Sequence, residues 1–472
     1  MRKTIAAAML LTAALCQPAL CGFKFGLVGA VKGKVEQLDK KTVNEYFVPV
    51  TANTPPPVIP ELCDPARMKW CKQGDIFYYS APAIGDDGTI YAGTSKHFVW
   101  YFNYWNKGLT PPTTGFGLLA MNPADGSEKW RVLTGRPARG GAVIAPDGTI
   151  YMVFENLGSA LGDTREDLYA ITSTGTVKWI YPGIGGYWEI GGLTPALAAD
   201  GTIYVQGSRL WAFNPDGTKK WDVSNGDPYE YVIFSSPAVG PDGTIYAVCW
   251  PTEETICAYA PDGTRLWRGP NLTTYPITAS PVIGADGTVY IGAHDDHGEA
   301  GPLWGNAFFA ISSGAVTGSL KWAFSTGNGD VRASASIDTD GTLYFGTKGG
   351  YTFYAVNPDG IQKWAYNFSA DGGPGIEGDV YNSAAIGADG SIYFANEMGA
   401  IFAMNPDGTV KWKHTSGAQA INWSSPAIAA DGTMYMGTTY GYFYAVKTDS
   451  LGLKTSAQWP KFRVDNKNTG RR

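Results

Sequence analysis

Apolar residues in this chain come in short alternating bursts, and Asp-Gly steps punctuate the bursts at regular intervals. One phrase recurs: a small residue, Pro or Ala, an aliphatic residue, a short spacer, Asp-Gly-Thr, an aliphatic residue and Tyr. It occupies Ala83–Tyr91, Val143–Tyr151, Ala196–Tyr204, Ala238–Tyr246, Val282–Tyr290, Ser336–Tyr344, Ala385–Tyr393 and Ala427–Tyr435. Asp-Gly between two alternating runs predicts a hairpin, because the turn needs a positive φ that Gly supplies without steric cost. A second phrase follows, clearest in Trp211-Ala212-Phe213-Asn214-Pro215-Asp216-Gly217-Thr218-Lys219-Lys220-Trp221 and repeated at Tyr354–Trp364 and Phe402–Trp412. It predicts a third strand, an Asn-Pro-Asp-Gly turn and a fourth strand.

Each unit is therefore a four-stranded antiparallel sheet with two apolar faces, and it cannot bury both alone. Packing the sheets in a circle solves this and leaves only short edges. The expectation is an all-β, eight-bladed β-propeller, with seven blades as the alternative. Lys69-Trp70 mimics the end of a unit, so the ring has two candidate closing strands. The expected one lies at about residues 64–74, and its competitor is the tail at about 458–465.

The termini change the picture further. Residues 1–22 carry Arg2 and Lys3, an apolar run from Ile5 to Leu15, and Ala19-Leu20-Cys21, and they read as a secretory signal peptide. Leu precedes both Cys16 and Cys21, a poor match to a lipoprotein anchor. Residues 23–62 fit no repeat and read as an extension or linker, so that 63–472 form a single propeller domain. Four cysteines remain beyond the signal, as two pairs, Cys63-Cys71 and Cys249-Cys257, each eight residues apart. Disulfides suit an oxidising location, and reduced buried thiols are the alternative.

Composition narrows the function classes. A net charge of −6, from 36 basic and 42 acidic side chains, argues against a nucleic-acid-binding surface. No apolar run reaches the roughly 18–20 residues of a membrane-spanning helix.

The run Ala-x-Asn-Pro-Asp-Gly-Thr-x-Lys-Trp resembles the tryptophan-docking repeat of the PQQ-like, quinoprotein-type propeller family, over roughly residues 75–465. The resemblance implies that Trp130, Trp179, Trp221, Trp267, Trp322, Trp364, Trp412 and Trp459 are structural, each lying between blades and packing on the next blade's backbone. It also raises a quinoprotein oxidoreductase holding pyrroloquinoline quinone (PQQ) over calcium. The adjacent cysteine pair of many such enzymes is missing, as is Cys-x-x-Cys-His. The leading expectation is a non-catalytic, exported propeller, periplasmic or at the cell surface, needing no cofactor and acting as a protein- or ligand-binding scaffold whose partner is an envelope protein or a glycan. A glycan-binding surface protein is a further alternative.

Three candidate sites follow. On the inner strands, the residue before the Pro/Ala position is small in every unit: Ala81, Gly141, Thr194, Ser236, Ser280, Ser334, Ser383 and Ser425. Two residues earlier, on the same strand face, the series is larger and is expected at the channel mouth. Its bulky members are Tyr79, Arg139, Phe234, Arg332, Tyr381 and Trp423, which suit a planar anion, a sugar or a peptide. Insertions at Lys96–Gly115, Glu155–Glu166 and Ala293–Gly305 decorate the ring, and Tyr101, Tyr104 and Trp105 in the first are candidate partner contacts. His294, Asp295, Asp296 and His297 could ligate a divalent metal, against the plainer reading of a solvated loop.

Overall fold

The structure is a computed structural model. It describes residues 63–472 except 76, 78–79, 96–114, 139, 158–163, 185–192, 208, 225–234, 250–254, 273–276, 294–305, 315–316, 328, 369–377, 416–423 and 440. Residues 1–62, where a signal peptide and an extension are expected, lie outside the described residues.

Eight four-stranded antiparallel sheets make an eight-bladed β-propeller. Blades 1 to 7 are continuous in sequence, at 83–133, 143–181, 196–224, 238–268, 282–325, 336–367 and 385–415. Blade 8 takes three strands from 427–447 and its outermost strand, Met68–Gln73, from the other end of the domain. That strand pairs antiparallel with Tyr442–Lys447, Cys71 facing Tyr444. The tail at 458–465 has a different place, described below.

The first phrase builds the inner hairpin of every blade. Its leading residue pairs with its closing Tyr, from Ala83 with Tyr91 in blade 1 to Ala427 with Tyr435 in blade 8. The Asp of each Asp-Gly step caps the turn: Asp87 accepts from the Thr89 amide at 3.0 Å and from its hydroxyl at 2.6 Å. Each closing Tyr is buried and lies 5.7–5.9 Å from the Trp of its own blade's outermost strand, as in Tyr91–Trp130 and Tyr246–Trp267.

The Lys-Trp ending works through a β-bulge, which periodicity alone does not reveal. Trp130 pairs with Ala120 and Glu128 with Met121, so Lys129 is the extra residue. The same irregularity recurs in all eight blades, at Lys69 in blade 8. A bulge bends the strand and re-aims its side chains. The lysine turns to its own blade's Asp-Gly turn, where Lys129 Nζ meets Thr89 Oγ1 at 2.6 Å and Asp87 at 3.1 Å. The tryptophan reaches the next blade. Trp179 Nε1 donates to the Pro215 carbonyl at 2.9 Å, and Trp221, Trp322 and Trp364 repeat this to Pro261, Pro358 and Pro406.

The eighth docking indole is Trp70, which donates to Pro123 of blade 1 at 3.0 Å. This corrects the expectation for Trp459, which does not sit between blades in this way. It is 1% exposed and packs with the blade 5 and blade 6 core, because the residues around it belong to the axial tail rather than to a blade. Cys63–Cys71 and Cys249–Cys257 are both disulfide-bonded, each with Cα atoms 5.8 Å apart. The second insertion is partly regular strand, since Ile150–Leu157 and Thr164–Ile171 form one long hairpin.

Seven of the turn aspartates, Asp87, Asp147, Asp200, Asp286, Asp340, Asp389 and Asp431, are held below the usual carboxylate range, Asp286 down to about 2. Burial alone would raise them; the Thr or Ser hydroxyl and amide, with the bulge lysine, outweigh it. A carboxylate depressed in the folded state adds stability above its unfolded pKa of roughly 3.9, and that stability is lost as pH falls through the folded value. The thermal melting temperature is therefore expected to drop steeply below about pH 4, read by circular dichroism. A melting temperature unchanged at pH 2.5 would contradict the turn-clamp account.

Candidate binding face

The two ends of the ring differ in the kind of chain they carry. One end gathers the tight Asp-Gly and Asn-Pro-Asp-Gly turns. The other holds the strand ends that lead from blade to blade and from second to third strand.

The C-terminal tail seals the tight-turn end. Inner-strand amides of six blades donate to its carbonyls: Ile84 to Asn466, Ile144 to Lys467, Leu197 to Thr469, Val239 to Gly470, Ile337 to Trp459 and Ile386 to Pro460, at 2.7–2.9 Å. Arg472 reaches Gly284 of blade 5, and Asn466 Nδ2 reaches Ile428 of blade 8 at 2.7 Å. One segment thus touches all eight blades. To coil this tightly it holds Arg463, Val464 and Asn468 at φ of 63°, 74° and 56°, a region that costs a β-branched residue such as Val energy. Arg463 is 1% exposed and donates to the carbonyls of Pro237 and Pro195 at 2.5 and 2.8 Å. Lys461 is fully buried, with Nζ on Phe462 O, Asp465 O and Asn468 Oδ1. Burial pulls its ammonium pKa down to about 7, with Asp465 opposing the shift.

Further along the axis the small-residue ring is a chain of hydrogen bonds as well as a steric necessity. The backbone amide of one blade donates to the hydroxyl of the next: Gly141 to Thr194, Thr194 to Ser236, Ser236 to Ser280, Ser280 to Ser334 and Ser383 to Ser425, at 2.8–3.0 Å. The sequence signal for this was the choice of Ser or Thr over Ala at six of the eight positions.

Beyond that ring lies the mouth. Tyr79, Arg139, Phe234 and Trp423 lie outside the described residues, as do Tyr101, Tyr104, Trp105 and His294–His297. Arg332 and Tyr381 are described, and they sit in the connections that enter blades 6 and 7. The Arg332 guanidinium is mostly covered and pairs with Asp330 at 3.0 Å. Lys348 approaches the same carboxylate at 3.8 Å, while the Lys348 and Asp330 backbones form a bridge. The Tyr381 hydroxyl donates to Asp379 Oδ2 at 3.2 Å. Burial, with Glu397 and Asp379 nearby, raises the Tyr381 pKa well above the ordinary phenol value, so it remains a neutral donor. Asp330 and Asp379 lie two residues before Arg332 and Tyr381 in the same connections, and Lys348 and Glu397 come from the links between the second and third strands of blades 6 and 7. The result is a half-buried patch of alternating charge with one aromatic ring.

No group of three or more His, Cys, Asp or Glu side chains placed to hold a metal occurs among the described residues. No helix among them is long and apolar enough to cross a membrane.

The sequence model of the family described as outer membrane protein assembly factor BamB matches this chain twice, over residues 115–296 and 252–459. No curated protein sequence matches it. The chain is similar in structure to BamB from Moraxella catarrhalis, with 13% identity, a TM-score of 0.54, and 80% of this chain and 100% of that one covered. It is also similar to the C-terminal WD40 domain of Sif2, with 10% identity, a TM-score of 0.57, and 81% and 99% coverage. Sqt1 from Chaetomium thermophilum, solved bound to the N-terminus of ribosomal protein L10, gives 9% identity, a TM-score of 0.55, and 81% and 99% coverage. At these identities the likeness is one of fold.

Proposed function

The chain belongs to the PQQ-like repeat family of the outer membrane protein assembly factor BamB, and on that premise we propose that it is a non-catalytic, exported scaffold of the cell envelope. It docks a protein partner on the mouth face. The observation that carries this reading is the asymmetry of the ring: the tail fills one end through all eight blades, and the strand ends that lead from blade to blade lie at the other. A rigid ring that presents loops on one face is an arrangement suited to holding binding residues in place. The polar patch around Arg332 and Tyr381 supplies directional contacts, since Arg and Tyr are frequent anchors of interfaces. The two disulfides fit an oxidising compartment. In this reading residues 1–22 are the leader, and no cofactor is required.

The test is capture of envelope proteins by the mature domain and by two variants. Arg332→Ala is expected to lose a partner that the wild type retains. Leu451→Ser, at a 77% exposed position on the tight-turn side, is expected to keep it. Equal capture by all three, or loss of folding by Arg332→Ala, would put the docking surface elsewhere. Dye reduction after addition of pyrroloquinoline quinone and calcium would instead favour the oxidoreductase reading.

A further inference from the structure

Blade 8 is the seam of the ring, and its docking arrangement departs from the other seven. In those, a turn glycine lies flat against the incoming indole. A Cβ on Gly126, Gly217 or Gly408 would stand 2.7–2.8 Å from Trp70, Trp179 or Trp364. At the seam the incoming ring is Trp412, and the turn it meets offers Asp449, whose Oδ2 accepts from Nε1 at 3.1 Å. The cover comes instead from the strap that precedes strand Met68–Gln73. Arg67 places its guanidinium carbon 4.4 Å from the Trp412 ring centroid and pairs with Asp449 at 3.6 Å. The same strap accepts from blade 8: Lys447 N donates to Arg67 O at 2.7 Å, and Lys447 Nζ to Pro65 O at 2.8 Å.

The strap is closed on itself by Cys63–Cys71. Cys63 is exposed and Cys71 half-buried, whereas Cys249 and Cys257, in blade 4, are each 0% exposed. Thiol–disulfide exchange needs a sulfur that the attacking thiolate can reach. We propose that Cys63–Cys71 is a reducible clasp that holds the Arg67 strap over Trp412 and so sets how firmly the ring is closed, while Cys249–Cys257 is permanent structure.

The reductant is a dithiol. Its thiolate attacks the exposed Cys63 sulfur, forming a mixed disulfide and releasing Cys71 as a thiolate that takes up a proton. The second thiol of the reductant then displaces Cys63, leaving an oxidised cyclic disulfide and two protein thiols. Two electrons move, and the strap is freed from the strand it was tied to. Residues 63–67 regain conformational freedom, and Trp412 loses its cationic cover.

The experiment treats the native full chain with increasing dithiothreitol, traps thiols with an alkylating agent, and maps them by mass spectrometry. Cys63 and Cys71 are expected to be labelled together at a reductant concentration at least tenfold below that needed for Cys249 and Cys257. The selectively reduced protein is expected to melt about 2–5 °C lower, and Cys63→Ser to reproduce that shift. In the Cys63→Ser background, Arg67→Ala is expected to add less than half of its effect in the wild type, because the strap is already loose. Three results would each overturn the proposal: simultaneous reduction of both bridges, an unchanged melting temperature on selective reduction, or a full additive effect of Arg67→Ala.

Discussion

Deletion of residues 459–472 is expected to lower the melting temperature by about 10 °C or more. It should also expose six amides, those of Ile84, Ile144, Leu197, Val239, Ile337 and Ile386, to rapid hydrogen exchange. The reason is that each donates to a tail carbonyl and sits beside the axis, where no blade partner can replace it. Leaving a buried donor unpaired costs about 1–3 kcal/mol where water does not enter. Trp459→Ala alone removes a 1% exposed indole from the blade 5 and blade 6 core, for which the usual cost is about 3–5 kcal/mol. Exchange rates at these amides unaffected by the deletion would mean that the blades close the axis without help. The tail would then be an ornament rather than a keystone.

The second large effect is expected for Gly360→Ala. Gly360 has φ 87°, and an added Cβ would lie 2.8 Å from Cδ2 of Trp322, the indole docked on the Pro358 carbonyl. Two penalties combine: a left-handed backbone for a residue with a Cβ, about 1–2 kcal/mol, and overpacking of a rigid ring, about 1–3 kcal/mol. Gly88→Ala separates them. Gly88 has φ 78°, but its nearest neighbour would be Pro123 Cγ at 3.4 Å, ordinary contact. Urea denaturation is expected to show Gly360→Ala losing roughly twice as much stability as Gly88→Ala. Equal losses would show that the tryptophan yields, and that docking is looser than the contact distances imply.

Much of this architecture could be read from residue order, for reasons visible at particular positions. The Asp-Gly steps at Gly88, Gly148, Gly201, Gly243, Gly287, Gly341, Gly390 and Gly432 all have positive φ, and a local turn preference needs no distant partner to act. The pairing of each phrase's first residue with its Tyr follows from the same hairpin. The bulge at each Lys-Trp was not legible, because the extra residue is defined only against the partner strand. The docking place of Trp70 was not legible either. It depends on which end of the chain completes blade 8, and both ends carried a Trp in a similar setting. At the mouth, Arg332 and Tyr381 were found by counting along one strand. Of their ionic partners, Asp330 and Asp379 stand two residues upstream in the same connections, and Lys348 comes from the link between the second and third strands of blade 6, which the folded blade brings near. Blade 4 breaks the lysine pattern with Leu266, 44% exposed, and nothing in the structure explains the exchange.

The amino-acid sequence by itself determined the unit, its eightfold repetition and the circular packing, since these rest on short-range turn chemistry and on two-faced sheets that need neighbours. Tertiary structure alone decided which terminus supplies the last strand and what plugs one end of the axis. Those outcomes are set by contacts between segments hundreds of residues apart, such as the six inner-strand amides that find their acceptors on the tail, and a local pattern carries no information about them.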